Sequence, residues 1–252
     1  MNTPAPPYRP ARAHLVRRTL AEFVGTGLLV TVVVGSGIAA QRLSPDDVGL
    51  QLLQNSLTTM LGLAVLILML GPVSGAHFNP VVSLADWIIG RRQHTGLPLG
   101  DLGPYVLAQI TGGIGGTLVA GLMFDVAPAL SKTDRTTGGH LLGEVVATAG
   151  LVLLIFALAR TSSEAVTAAA VGAYIGAAYW FTSSTSFANP AVTIARTFTD
   201  TFAGIAPGSV APFVIMQLIG GALGLGLVLV FYPTVARSAG DVVVPQSIEA
   251  KL

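Results

Sequence analysis

Two Asn-Pro dipeptides, Asn79-Pro80 and Asn189-Pro190, are the polar features of this chain that are best suited to contact a solute. Asn is favoured just before a helix and Pro is tolerated at its first position, so each dipeptide predicts a helix N-terminus. Each Asn side chain can cap its own backbone while its NH2 group donates a hydrogen bond to a solute oxygen. The positive partial charge at two helix N-termini would disfavour cations. One such helix end in each half of the chain predicts a pore whose middle is built from paired half-helices.

The composition places most of the chain in a lipid bilayer. Its 252 residues are 52% hydrophobic and 10% charged, with a mean hydropathy of +0.72, whereas soluble domains carry about 25% charged residues. A net charge of +1 without a basic face argues against nucleic acid as a partner. The absence of Cys excludes disulfides, thiolate metal sites and Cys nucleophiles. No nucleophile, base and orienting acid can be assembled at membrane depth, so we expect neither an enzyme nor a cofactor.

Six apolar segments are long enough, at about 20 residues, to cross the bilayer as helices. They cover residues 18–40, 50–71, 102–124, 140–160, 165–183 and 210–233. Two shorter apolar runs, 79–90 and 189–202, begin at the Asn-Pro pairs and are interpreted as re-entrant half-helices. The predicted fold class is therefore an all-α membrane protein with six transmembrane helices and two re-entrant half-helices.

The two halves of the chain repeat each other. Glu22 in AEFVGTGLLV corresponds to Glu144 in GEVVATAGLVLL, and Gln109 in AQITGG corresponds to Gln217 in MQLIGG. The two Gln residues are offset by 108 (217 − 109) and the Asn-Pro pairs by 110 (189 − 79). Because each half contains three spans, an odd number, the second copy must be inverted in the membrane. Inversion brings the two half-helices to the midplane from opposite faces.

The repeat and the spans together predict the organisation of the chain. A disordered cytoplasmic tail (1–16) precedes the first repeat (17–124), an external loop (125–139) leads to the second repeat (140–233), and a cytoplasmic tail (234–252) follows. With the N-terminus inside, four of the 13 Lys and Arg residues are external, in agreement with the positive-inside rule. These four are Arg42, Lys132, Arg135 and Arg196. We expect a multi-pass protein of the cell (inner) membrane, in contact with membrane lipid and with both termini in the cytoplasm.

Four motifs occur together in the chain: AEFVGTGLLV, SGAHFNPVVSLADW, FANPAVTIAR and the paired Q-x-x-G-G sequences, one before and one after FANPAVTIAR. In this combination the chain resembles the aquaporin and glyceroporin (major intrinsic protein) family over residues 17–233. The resemblance implies a homotetramer with one pore per subunit, in which the two half-helices abut and small neutral solutes pass. The residues that it places at the pore midplane are Asn79, Pro80, Val81, Asn189, Pro190 and Ala191.

The family's second constriction usually contains an aromatic residue, a His or Gly, a small residue, and an Arg three residues after the second Asn. Counted without gaps, the corresponding filter positions hold Thr59, Ala177, Ser186 and Val192. A shift of one residue in the fifth span would substitute Gly176 or Ala178 for Ala177, and all three are small. The expected constriction is therefore wide, weakly polar and uncharged.

The sequence also resembles one branch within the family. With Val81 in the first motif and NPAVTIAR in the second, it looks like the bacterial branch associated with uncharged metalloid hydroxides such as arsenous acid. Arsenous acid resembles glycerol in size and in presenting three hydroxyls. The resemblance favours a passive channel for small uncharged solutes, including arsenous acid, glycerol-like molecules and some water. A dedicated water or glycerol facilitator and a coupled secondary transporter remain as alternatives.

Three ionisable residues are interpreted as structural support. We expect the carboxylates of Glu22 and Glu144 to accept hydrogen bonds from the re-entrant loop of their own half, although an ion-coupling role is the alternative. His77 is interpreted as a hydrogen-bonded residue of a packed loop rather than a pH gate. No second His lies at metal-ligand spacing, so no metal site is expected.

Two other polar residues have open interpretations. Arg196, seven residues after Asn189, is either an interfacial residue paired with Asp200 or part of a pore vestibule. Tyr179 is assigned to the interfacial aromatic belt or to packing.

Overall fold

The computed structural model describes residues 14–91, 95–159, 163–233 and 235, and within these ranges all regular secondary structure is helical. In chain order the α-helices are α1 (Leu15–Leu43), α2 (Val48–Ser74), α3 (Pro80–Gly90), α4 (Leu99–Met123), α5 (Gly138–Leu158), α6 (Glu164–Phe181), α7 (Pro190–Ala195) and α8 (Pro207–Phe231). One turn of 3₁₀ helix, Arg196–Phe198, extends α7. Each half has the same order of two long helices, a short one and a long one. The predicted tails lie outside the described residues except for residues 14–16 and 235.

The long helices have the length and hydropathy of membrane spans. Five of them, α1, α2, α4, α5 and α8, are apolar and contain 21 to 29 residues, and α6 contains 18, which is close to the lower limit for a span. Large apolar side chains point outward from these helices, with Leu61 56% and Val65 60% exposed. The structure confirms the predicted fold class, with six long helices and two half-helices.

The two halves pack their long helices in equivalent ways. α1 lies against α4, and α5 lies against α8. A Cβ atom at Gly112 or Gly116 would collide with backbone carbonyl oxygens of α1, and one at Gly220 or Gly224 with those of α5. Small residues of this kind allow membrane helices to approach closely. These two crossings form the frame that holds the half-helices.

The half-helices start directly after Asn79 and Asn189 because each Asn caps its helix. Asn79 Oδ1 accepts a hydrogen bond from the Val81 backbone N–H at 2.9 Å. Asn189 Oδ1 accepts from the N–H groups of Ala191 and Val192 at 3.0 and 3.3 Å. In both helices the following Pro occupies the first turn, where its missing N–H is not needed.

The second half-helix is shorter than the predicted run of 189–202, since its 3₁₀ turn ends at Phe198. Beyond this residue the chain folds back on itself. The Gly204 N–H donates to the Thr201 carbonyl at 2.8 Å, and the Ile205 N–H donates to the Arg196 carbonyl at 3.3 Å. The Arg196 carbonyl is thus satisfied by the returning chain rather than by another helical turn.

Candidate functional site

A narrow cavity lies between the two halves and passes both half-helix N-termini. One part of its wall consists of Leu, Ile and Val side chains from α1, α2, α5 and α6, and another part of the loop residues 76–79 and 186–189. The space open to the centre of a water molecule is about 60 Å³, which suits a short file of waters because one water needs about 10–15 Å³. Among the described residues, no Asp or Glu side chain lines this cavity.

Asn79 and Asn189 face the cavity and connect the two loops to each other. Asn79 Nδ2 donates to the Ala188 carbonyl at 2.8 Å, and Asn189 Nδ2 donates to the Phe78 carbonyl at 2.7 Å. An amide NH2 group carries two hydrogens. One N–H of each Asn is therefore left for a solute where the half-helices meet.

The other four residues expected at the midplane are not part of the described cavity wall. Pro190 and Ala191 are buried, and Pro80 is half-buried. Val81 packs beside Gly221 of α8, in an apolar groove between α3 and α8. These residues are the first two of each half-helix. Successive residues of a helix are rotated by about 100°, so their side chains point in other directions than that of the capping Asn.

Both loops have a backbone conformation that L residues rarely adopt. The φ angles are +47° at Ala76 and +48° at Phe78, and +50° at Ser186 and +48° at Ala188. The equivalent residues are offset by 110 (186 − 76 and 188 − 78), as the two Asn residues are. A left-handed conformation costs about 1–3 kcal/mol per non-glycine residue, so other contacts must hold these loops in place.

Glu22 of α1 and Glu144 of α5 provide these contacts. Glu22 accepts hydrogen bonds from the backbone N–H groups of His77 at 3.0 Å and Phe78 at 2.7 Å. Glu144 accepts from the N–H groups of residues 187 and 188 at 2.9 and 2.8 Å. A Gln side chain, from α4 or α8, donates to each carboxylate at 2.7 and 2.6 Å, respectively. Both carboxylates are fully buried and lie behind the loops, outside the cavity wall.

Loop carbonyls give the cavity its hydrogen-bond acceptors. Within the described part of the chain, no donor bonds to the backbone carbonyls of Ala76 and His77, or to those of Ser186 and Phe187. A buried carbonyl without a partner is costly. Several water molecules, or a solute with several hydroxyls, can donate hydrogen bonds to these carbonyls.

His77 is held by neighbouring side chains at the cavity wall. Its Nδ1 is 3.0 Å from Ser83 Oγ, and its Nε2 is 3.8 Å from Asp86 Oδ2. Its ring meets Tyr105 edge-on at 5.5 Å between centroids, and the Tyr105 hydroxyl donates to the Ser74 carbonyl at 2.9 Å. In the described ranges no three His, Asp or Glu side chains are placed to hold a metal ion.

Another part of the wall contains Thr59, Tyr179, Ser186, Val192 and Arg196, and is here named the Arg196 end. The Tyr179 hydroxyl is 3.1 Å from Thr59 Oγ1, so a pair of hydroxyls joins α2 and α6. Three of these five residues, Thr59, Ser186 and Val192, are predicted filter positions. The sequence predicts that Tyr179 lies in the aromatic belt or in packing, and it leaves the role of Arg196 open.

The residue expected from the fifth span, Ala177, lies on the exposed side of α6. The residues of α6 that face the cavity follow the spacing of one helical face and are Val171, Ile175 and Tyr179. Two of these residues, the aliphatic Ile175 and the aromatic Tyr179, each lie two positions from Ala177 along the helix. Ala177 therefore lies outside the described cavity wall, and the assignment of a small filter residue to α6 stays a prediction.

Arg196 is not paired with Asp200 in this structure. Its Nε donates to the Ala203 carbonyl, and its Cζ lies 3.5 Å from the centroid of the Phe187 ring. Asp200 accepts instead from the Lys132 backbone N–H at 3.0 Å. The reversal of the chain after the 3₁₀ turn causes this difference, because it brings Ala203 to the guanidinium.

Arg196 brings a positive charge to the cavity wall beside the predicted filter residues Thr59, Ser186 and Val192, and the uncharged constriction stays a prediction. One sequence signal could have placed Arg196 there. Val192 and Arg196 are four residues apart, which puts them on the same face of a short helix.

Replacement of Glu144 by Gln is expected to lower the thermal stability of the protein and to leave its solute selectivity unchanged. A neutral amide is a poorer acceptor for the two loop N–H groups, and a buried donor that loses its partner costs about 1–3 kcal/mol. Thermal unfolding of the purified variant tests this expectation. Glu164→Gln, which removes the same charge at the half-buried start of α6, is the control.

The opposite outcome for Glu144→Gln would support coupled transport. In that case the variant would be as stable as the wild type, and its solute flux would have lost a dependence on a proton gradient.

Comparisons with known sequences agree with this geometry. Residues 10–186 match the model of the Major intrinsic protein family. Aquaglyceroporin AqpS of Rhizobium meliloti (strain 1021) is 52% identical over 214 residues, which cover 84% of this chain and 89% of that protein. Aquaporin Z of Photorhabdus laumondii subsp. laumondii is 31% identical over 125 residues, which cover 50% of each protein.

A solved structure has the same fold. The X-ray structure of the aquaglyceroporin from Plasmodium falciparum matches with a TM-score of 0.64 and 21% identity, over 89% of this chain and 100% of that chain. The family match and the 52% identical relative cover most of the sequence. This multi-pass membrane protein is a channel rather than an enzyme, and it belongs to the major intrinsic protein family.

Proposed function

We propose that this protein lets small uncharged solutes, water and glycerol among them, cross the membrane down their concentration gradients. The observation that carries the proposal is the free N–H of Asn79 and of Asn189 beside four unpaired loop carbonyls. A hydroxylated solute can accept from the Asn amides and donate to the carbonyls, which replaces the hydrogen bonds of its hydration shell. Conduction also requires weak binding, and the Leu, Ile and Val side chains of the wall form no hydrogen bonds with the solute.

Passive movement is favoured over coupled transport by the position of the carboxylates. A coupled transporter needs ionisable groups that face the route of its substrate. Glu22 and Glu144 are fully buried, are bonded to the loop backbone, and are not part of the described cavity wall. Their geometry suits a structural role in holding the strained loops.

Within this class of solutes we include arsenous acid as a permeant. It is small and uncharged near neutral pH, and its three hydroxyls can use the same donors and acceptors as those of glycerol. The name of the relative Aquaglyceroporin AqpS supports a solute of glycerol size rather than water alone. The alternative is a dedicated water or glycerol facilitator. The permeabilities for water, glycerol and arsenous acid, measured as described below, distinguish it from a broad solute channel.

The membrane arrangement that we propose is a homotetramer in the cell (inner) membrane with both termini in the cytoplasm. The distribution of Lys and Arg supports this orientation. Apolar side chains such as Leu61 and Leu142, which are 56% and 63% exposed in the single chain, are suited to contact lipid or a neighbouring subunit.

Solute flux into proteoliposomes tests the proposed function. Purified protein is reconstituted without any ion gradient, and the permeabilities for water, glycerol and arsenous acid are measured by stopped-flow light scattering. We expect downhill flux of all three above that of protein-free vesicles, insensitive to a protonophore. Accumulation of solute against its gradient would contradict a passive channel, and flux of water alone would contradict the solute assignment.

A further inference from the structure

We propose that Arg196 and Ser186 together form a binding station for a solute oxygen, and that Arg196 supplies the fixed positive charge that excludes cations. This inference rests on the proposed function and names the residues that select the solute. The position that usually carries the filter Arg is held here by Val192, which also lines the cavity. The guanidinium comes instead from one helical turn further along the chain.

Arg196 is held rigidly, yet most of its donors are free. Its side chain packs over the Phe187 ring at 3.5 Å, its Nε donates to the Ala203 carbonyl, and the residue is only 2% exposed. A guanidinium has five N–H donors in a fixed plane. Among the described residues no acceptor bonds to its Nη1 or Nη2 groups, although Arg196 lines the cavity. The four N–H donors of Nη1 and Nη2 are therefore available to a solute in the cavity that Arg196 lines.

Ser186 supplies a second group that lacks a partner. The residue is 4% exposed, it lines the cavity, and its Oγ is buried without a hydrogen bond to any described residue. Its φ of +50° belongs to the strained loop that Glu144 holds. A buried hydroxyl without a partner is unfavourable, so this position requires an oxygen or a hydroxyl from outside the protein. It precedes Phe187, on which the Arg196 guanidinium stacks.

The hydroxyls of Thr59 and Tyr179 complete the polar part of the Arg196 end. They are bonded to each other at 3.1 Å and belong to α2 and α6. A solute here meets guanidinium N–H groups and a serine hydroxyl from the second loop and its half-helix, and two hydroxyls from the long helices. This set favours molecules that carry several oxygens, such as polyols and protonated oxyacids, over apolar solutes of the same size.

Among the described residues, no Asp or Glu lines the cavity or forms a salt bridge with Arg196. Glu144 attracts the guanidinium only through space, from behind the loop whose backbone N–H groups it accepts, and Asp200 accepts from the Lys132 N–H. A second guanidinium, that of Arg135, lies 5.2 Å from the Phe187 centroid and adds to the positive field. Cations approaching the Arg196 end are therefore repelled before they reach the half-helix N-termini.

The test compares Arg196→Gln with Arg42→Gln in proteoliposomes. Arg42 is a matched control because its guanidinium also donates to a backbone carbonyl and stacks on an aromatic ring, both of Phe124, away from the cavity. We expect Arg196→Gln to raise the sodium leak at least tenfold and Arg42→Gln to leave it within twofold of wild type. Ser186→Ala should lower the ratio of glycerol to water permeability several-fold without a sodium leak.

Two further variants keep the result decisive. If Arg196→Gln does not assemble, Arg196→Lys takes its place. Lys retains the charge but lacks the planar donors, so this variant should still exclude sodium and should change the ratio of glycerol to water permeability. The double variant with Val192→Arg and Arg196→Gln should restore sodium exclusion by moving the guanidinium back one turn. An assembled Arg196→Gln or Arg196→Lys protein with wild-type leak and wild-type ratio would overturn the binding station. Absence of downhill glycerol flux in the wild type would instead overturn the proposed function.

Discussion

Replacement of Asn189 by Asp is expected to lower glycerol permeability at least tenfold and to let sodium leak through the pore. Asn189 has two roles at the half-helix N-terminus. Its Oδ1 caps α7 through the N–H groups of Ala191 and Val192, and its Nδ2 donates to the Phe78 carbonyl at 2.7 Å. Asp keeps the first role, because carboxylates are equally good caps. The half-helix should therefore still form.

The second role is lost in the Asp variant. A carboxylate oxygen would face the Phe78 carbonyl oxygen, so an attractive contact between the two loops becomes repulsive. The N–H that is left for a solute also disappears, and the new negative charge offsets the positive partial charge of the two helix ends. Both changes act where the cavity passes the half-helices, which is why the expected effect on flux is large.

The control for Asn189→Asp is Gln54→Glu, which adds the same charge to α2 at a residue outside the cavity wall. Glycerol flux and sodium leak are measured for both variants at matched protein density, together with Asn79→Asp as the equivalent change in the first half. Wild-type flux and selectivity in both Asn variants would remove the Asn pair from the mechanism.

Local rules explain why much of the fold is predictable from the sequence. Apolar length predicts the six long helices, and the Asn-Pro pairs predict the starts of both half-helices because capping involves only neighbouring residues. The position of Glu22 relative to Glu144 reveals the duplication, and the hydrogen bonds of the two carboxylates are equivalent. Span length and capping depend on neighbouring residues, and the duplication is visible because each half carries its own copy of the same motif.

The Arg196 end depends on tertiary contacts, and its composition could not be predicted from the sequence. Tyr179 faces the cavity because of the rotation of α6 about its own axis. In this orientation the Tyr179 hydroxyl contacts Thr59 of α2. No local pattern specifies that rotation, so counting from a family motif selected Ala177. Arg196 is placed by Ala203, seven residues later and beyond a chain reversal. A helix extended to 202 could not have made this contact.

The second large effect is expected for Val192→Arg. Val192 is 5% exposed, lines the Arg196 end, and precedes Arg196 by one turn, a rise of about 6 Å along the helix. A second guanidinium would enter a cavity whose water-accessible space is about 60 Å³. We expect glycerol and arsenous acid permeabilities to fall at least tenfold, and water permeability to fall much less because water needs less width.

Val192→Met separates size from charge, since it adds a long side chain without a guanidinium. If width alone limits glycerol, the Met variant should reproduce most of the loss. If repulsion between two guanidinium groups disturbs the end of α7, the double variant with Arg196→Gln should recover flux that Val192→Arg has lost, because it leaves a single guanidinium. The measured quantity is the ratio of glycerol to water permeability at matched protein density. An unchanged ratio in an assembled Val192→Arg protein would mean that residue 192 does not line the constriction. The proposal that Val192 leaves the pore wide enough for polyols and metalloid hydroxides would then be wrong.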